Sequence, residues 1–176
     1  LSYEYVKKLI SALNRLNLKY IFTGAFALSY YGYPRSSSDI DIIVEPDKDK
    51  LLRLAKLLAR EYDISESDVI KAVDECSHFA VFYRKRMFPY FDFKVACKIG
   101  EYDSLEDYEV VDYHGVLCRI CSAEDLIVKK LEWGDLVDVR SILYRQRNKL
   151  NREKLLKLAK KRNVYELLQK LLEEFS

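Results

Sequence analysis

Glycine and proline are scarce in this chain, five and three among 176 residues, alongside one methionine, one tryptophan and two histidines. So little of either leaves no low-complexity segment or linker, and no internal repeat is present. No apolar run approaches the roughly 18 residues that cross a bilayer, which excludes a transmembrane helix. No signal-peptide pattern opens the chain at Leu1, so a cytoplasmic protein with no membrane partner is expected. Neither charge sign dominates: 30 Lys and Arg against 28 Asp and Glu leave a net charge of +2, which singles out no class of partner. A second C-x-x-C is also missing. Cys118 and Cys121 fall in an apparent strand, where residues three apart point to opposite faces, so zinc or redox use is not indicated. Together with Cys76 and Cys97 they are expected as reduced, buried thiols.

What is present is 49% apolar and 33% charged residues, the balance of a globular domain with a substantial core. The excess of Lys, Arg and Glu over Gly, with 14 Tyr, resembles the composition of a thermophile protein.

Apolar positions Tyr5, Val6, Leu9, Ile10 and Leu13 recur at helical spacing. Lys19 to Thr23 is β-prone and breaks at Gly24; a helix from Ala25 to about Tyr31 stops at Gly32, and Pro34 prevents its continuation. Helices are expected from Pro46-Asp47 to about Glu61, and from a Ser65 or Ser67 cap to near Cys76. Residues 78–84 and 90–97 read as adjacent strands, and 109–113 with 116–121 as a hairpin. After a Ser122 cap everything is helical, with Asn151 as a second cap. The fold class is therefore α/β (α+β): a mixed sheet flanked by helices over 1–121, followed by a helical C-terminal region over 122–176.

The chemistry begins at Ser38-Asp39-Ile40-Asp41-Ile42-Ile43-Val44. In a strand, Asp39 and Asp41 share one face while Ile40, Ile42 and Val44 take the other. Two carboxylates so close repel unless a cation lies between them, and the hard, oxygen-seeking cation for such a pair is Mg²⁺. Upstream lie Thr23-Gly24-Ala25, a helix, the turn Gly32-Tyr33-Pro34-Arg35 and the run Ser36 to Ser38.

This order resembles the minimal nucleotidyltransferase superfamily, with its DNA polymerase beta-like nucleotidyltransferase fold, and within it the AbiEii-like toxin group. The resemblance implies that Gly24 lets the backbone approach a triphosphate and that the next helix offers N–H groups to an anion. Ala25 stands where relatives carry Gly or Ser, and Thr23 is the hydroxyl beside the glycine. Asp39 and Asp41 would hold one or two Mg²⁺. Asp92, in Tyr90-Phe91-Asp92-Phe93-Lys94, matches the third carboxylate, which binds the second metal and helps deprotonate the acceptor; its alternative is a strand face paired with Lys94. Arg35 either contacts the triphosphate or pairs with a carboxylate. Ser38 adjoins the site, and the serine run also suits turns and caps.

Further along, Lys129-Lys130-Leu131 and Asp135-x-x-Asp138 also look like the AbiEii-type relatives. That makes Lys130 the candidate for triphosphate contact and Asp135 its polar partner, with Lys129 pointing elsewhere. Alternatively the lysines are solvated and the aspartates complement a helix dipole. Ten Lys or Arg and only Glu153 lie between Arg140 and Arg162, a stripe that suits RNA or a solvated face. The Leu-rich final helices suit a core, self-association or a partner such as an antitoxin. Together these readings imply an enzyme that moves a nucleoside monophosphate from an NTP to a hydroxyl of RNA, protein or a small molecule. A non-catalytic nucleotide- or RNA-binding module on the same fold, or a helical interaction protein, is the alternative.

Overall fold

A computed structural model describes residues 3–84 and 86–175. The chain divides into two compact units, Leu1–Thr23 with Ser37–Ile120, and Gly24–Ser36 with Cys121–Ser176.

The first unit is built on a seven-stranded mixed sheet. Its strands are β1 (Tyr20–Phe22), β2 (Asp39–Val44), β3 (Tyr62–Asp63), β4 (His78–Tyr83), β5 (Tyr90–Val95), β6 (Tyr108–Tyr113) and β7 (Val116–Cys121). The order is β3-β4-β5-β2-β1-β7-β6. β2 runs parallel to β5 and antiparallel to β1, and β4 pairs antiparallel with β5. The two parallel neighbours are distant in sequence, and the antiparallel β4–β5 pair is joined by a short loop, as the connection rules require.

Alternation along the strands separates two faces. Ile42, Phe79, Val81, Phe91 and Phe93 are buried on one of them, and Phe79 stacks on Phe93 with centroids 4.9 Å apart. Helix α1 (Glu4–Arg15) brings Tyr5, Val6, Leu9, Ile10 and Leu13 into the core at the spacing of one helical stripe, with Tyr5 5.6 Å from Phe91. In α3 (Lys48–Leu58), Asp47 caps the first turn by accepting from the Lys50 N–H at 2.9 Å. Ser65 does the same for α4 (Glu66–Asp74).

Two short elements escape the sequence pattern. β3 has only two residues, and α5 (Ile99–Glu106) lacks a clear apolar stripe. The start of α5 is held from within. Glu101 accepts from the Cys97 and Lys98 N–H groups at 2.9 and 3.0 Å and pairs with Lys94 at 2.8 Å.

The expectation of four free thiols is corrected. Cys76 and Cys97 are joined in a disulfide with Cα atoms 5.7 Å apart. The Val95 N–H donates to Ser77 O, so the segments entering β4 and leaving β5 lie side by side and bring residues 76 and 97 together. Cys118 and Cys121 lie outside the disulfide and are buried, as expected.

The second unit gathers α2 (Gly24–Tyr31), α6 (Ala123–Trp133), α7 (Leu136–Gln146), α8 (Arg152–Lys161) and α9 (Tyr165–Glu173). Ser122 and Asn151 cap α6 and α8 as expected. α2 packs on α6 and α7. At its end Gly32 has no room for a side chain, because a Cβ would overlap the Ser141 hydroxyl and a Leu28 methyl. The Arg145 guanidinium donates to Gly32 O, and Gln146 donates to Tyr31 O at 3.0 Å. No helix among the described residues is long and apolar enough to cross a membrane.

Candidate active site

Asp39 and Asp41 alternate with Ile40 and Ile42 at the start of β2, so the two carboxylates leave the same face of the sheet. Parallel pairing with β5 sets Asp41 opposite Asp92 and Asp39 opposite Tyr90. Residues in register on adjacent strands about 4.8 Å apart share a face, so Asp39, Asp41 and Asp92 form one acidic patch. The Tyr90 hydroxyl reports on it. Burial first, and then the charges of Asp39, Asp92 and Asp41, raise its pKa above the ordinary value.

The patch is not closed into a cage. Among the described residues no group of three His, Cys, Asp or Glu side chains is gathered to hold a metal. Like charges oppose such closure, and two of the carboxylates face other donors. Asp39 accepts from the Ser37 hydroxyl at 2.6 Å. Asp92 receives Nδ1 of His78 at 3.1 and 3.2 Å. The donor set itself, three carboxylates at neighbouring register positions, suits a hard divalent cation such as Mg²⁺.

The alternative pairing of Asp92 with Lys94 is not observed, since Lys94 turns to Glu101. His78 is the residue that sequence reasoning missed. Read with Cys76 it looked incidental; its signal was its place two residues before the strand position opposite Asp92, which is Ala80. Thr23 and Ser38 tie into the same strands through their backbones: the Thr23 N–H donates to Asp41 O at 3.0 Å, and Ser38 O accepts from the Tyr90 N–H at 3.2 Å.

In the second unit Gly24 opens α2 with φ +57°, a left-handed conformation that favours glycine, and Ala25 follows within the first turn. A charge cluster lies elsewhere in this unit. Asp138 accepts from Arg35 Nε at 3.1 and 3.3 Å and pairs with Lys130 Nζ at 2.8 Å. Lys130 also reaches Asp135 at 2.9 Å. Of the two readings of Arg35, pairing with a carboxylate is the observed one. Asp138, read from sequence as a dipole residue, joins both cations, and its i, i+3 relation to Asp135 was the available signal. Lys129 points away and pairs with Asp125 at 2.7 Å.

Four cations of the basic stripe are engaged within the unit. Arg140 binds Glu174 at 2.7 and 2.9 Å, Arg162 binds Glu132 at 3.0 Å, Lys154 pairs with Glu124 at 3.3 Å, and Lys160 lies 4.9 Å from the Tyr165 ring centre.

No family model and no curated protein matches the chain. Solved structures do. An antigenic nucleotidyltransferase-like protein from Paracoccidioides brasiliensis aligns at 18% identity and TM-score 0.60, over 96% of this chain and 91% of that one. The antibiotic-resistance factor ANT(2'')-Ia aligns at 16% identity and TM-score 0.58, over 98% and 97%. The lincosamide antibiotic adenylyltransferase LnuA, solved with lincomycin bound, aligns at 10% identity and TM-score 0.53, over 81% and 96%. The chain has the nucleotidyltransferase fold.

Proposed function

We propose that this protein is a nucleotidyltransferase that moves a nucleoside monophosphate from an NTP to a hydroxyl acceptor and releases pyrophosphate. The observation that carries the reading is the register of Asp92 against Asp41, with Asp39 two residues away on the same face. Such a patch is expensive to maintain without a cation, and on this fold it has a chemical use. Asp39, Asp41 and Asp92 would hold one or two Mg²⁺ ions. Bound there, the ion supplies charge neutralisation of the phosphate oxygens.

Asp92 is assigned the acceptor proton. As the acceptor oxygen bonds to the α-phosphorus and the bond to the pyrophosphate oxygen breaks, the hydroxyl proton passes to its carboxylate. His78, on both oxygens of Asp92, orients that group. By the resemblance, Thr23, Gly24, Ala25, Arg35, Ser38 and Lys130 are proposed to contact the nucleotide. Arg35 and Lys130 are positive groups suited to phosphate, now held by Asp138 and Asp135. A place among AbiEii-like toxins, with an antitoxin partner, and RNA binding through 140–162 are finer readings of the same proposal.

Incubation with each α-phosphate-radiolabelled NTP, Mg²⁺ and an acceptor panel of RNA, protein and aminoglycoside tests it. Label transfer that is lost in Asp41→Asn and Asp92→Asn is expected. Calorimetric NTP binding without transfer to any acceptor would favour a non-catalytic nucleotide-binding module, which Ala25 and the open carboxylate patch also suit.

A further inference from the structure

His78 opens β4, and its Nδ1 lies 3.1 and 3.2 Å from the two oxygens of Asp92. Its side chain is 51% exposed, so water competes for the contact, which lasts only while the backbone beneath it is held in place. That backbone is tied from the residues just before it. The Ser77 N–H donates to Ala72 O at 2.9 Å, Ser77 O accepts from the Val95 N–H at 3.1 Å, and Cys76 is bonded to Cys97. The covalent tie sits two residues before His78. It joins the segment entering β4 to the one leaving β5, the strand that carries Asp92. Cys76 is exposed and Cys97 half-buried, whereas Cys118 and Cys121 are buried. Exposed disulfides are the labile ones, because a thiolate can reach them. Cys76 also holds φ +53° in the turn from α4 to β4, a left-handed conformation from which a non-glycine residue relaxes once released.

We infer that the Cys76–Cys97 disulfide is a reversible redox latch: it keeps His78 against Asp92, and a dithiol reductant opens it and slows the transfer. One thiolate of the reductant attacks the disulfide and the other resolves the mixed disulfide. Cys76 and Cys97 gain two electrons and two protons and become thiols, while the reductant leaves as its own disulfide. Strand ends open at little cost once a tie is lost, so residues 76–78 part from β5 and His78 leaves the carboxylate. Asp92 keeps its register beside Asp41 but loses the group that orients it. The effect on transfer rests on the nucleotidyltransferase reading; the release of His78 does not.

The full chain is treated with dithiothreitol, then with oxidised glutathione, and two readouts are taken at one pH. Imidazole ¹H–¹⁵N spectra separate His78 from His114, the only other histidine. On reduction the His78 signals should move to the positions of a solvated histidine and return on oxidation. Those of His114, stacked on Tyr3 with centroids 4.0 Å apart, should stay. Label transfer should fall roughly tenfold on reduction, as for loss of an outer partner of a working carboxylate, and recover on oxidation. In His78→Ala it should be slow from the start and indifferent to reductant. Cys76→Ser with Cys97→Ser should show the reduced values in either solution. Unmoved His78 signals, an equal fall in His78→Ala, or an active protein whose rate ignores the bond overturns the latch. Movement of both histidines together would mean that the domain itself opens, which also overturns it. His78 signals that follow the bond in a protein with no transfer in either state would sink the transferase reading and leave the hold on His78 standing.

Discussion

Replacing Asp138 by leucine removes the carboxylate that Lys130 and Arg35 share. The Lys130 and Asp138 side chains are each 10% exposed, while Asp135 is 44% and Arg35 47% exposed. Breaking one side of a buried ion pair costs about 3–5 kcal/mol because the remaining charge stays desolvated. Asp135 still faces Lys130 and recovers about 1 kcal/mol, and the half-exposed Arg35 pair adds less than about 1 kcal/mol. The net loss is about 3 kcal/mol, which lowers the thermal midpoint by about 6–12 °C for a chain of this size. Pairing the change with Lys130→Met removes the stranded ammonium as well. Since buried ion pairs are commonly replaceable by apolar groups, the double variant should return to within about 1 kcal/mol of wild type. Calorimetric and urea unfolding of the two single variants and the double variant measure all three. A loss below about 1 kcal/mol in Asp138→Leu, or a double variant no more stable than the singles, would refute the account of a desolvated cation held by this carboxylate.

Burial by itself would raise the Glu101 carboxyl, but the Lys94 ammonium and the N–H groups of Lys98 and Cys97 outweigh it and bring the pKa down to about 2. A carboxyl depressed on folding stabilises above its unfolded pKa and loses that contribution as pH falls. Stability worth about 2 kcal/mol should therefore disappear between about pH 4.5 and 2, and Glu101→Gln should flatten that limb of urea midpoint against pH. The Cys76–Cys97 bond closes a separation of 21 residues. Cys76→Ser with Cys97→Ser should cost about 3 kcal/mol in urea unfolding. Thiol titration of the native protein should find no fast-reacting group, because burial pushes Cys118 up to about 12 and only unfolding exposes it. Gly32→Ala should cost about 1–3 kcal/mol, since its methyl would meet Ser141 and Leu28; a neutral effect would mean that α2 and α7 part easily.

Local patterns were legible because local physics makes them. The stripe of α1, the Ser65, Ser122 and Asn151 caps and the alternation of 39–44 all depend on spacings of a few residues, and each stands where the pattern put it. The short β3 and the weakly patterned α5 had too few residues to show a period, and α5 begins on Glu101 contacts rather than on an amphipathic stripe.

By itself the sequence determined that Asp39 and Asp41 share a face, because a strand turns each side chain by half a revolution whatever surrounds it. Only the tertiary structure decided that Asp92 stands beside Asp41 with His78 on its carboxylate, that Arg35 and Lys130 meet at Asp138, that segment 24–36 joins the C-terminal helices, and that Cys76 reaches Cys97. Those pairings join residues far apart along the chain, and strand register and helix packing select them through the burial of the whole core, which no short-range period records.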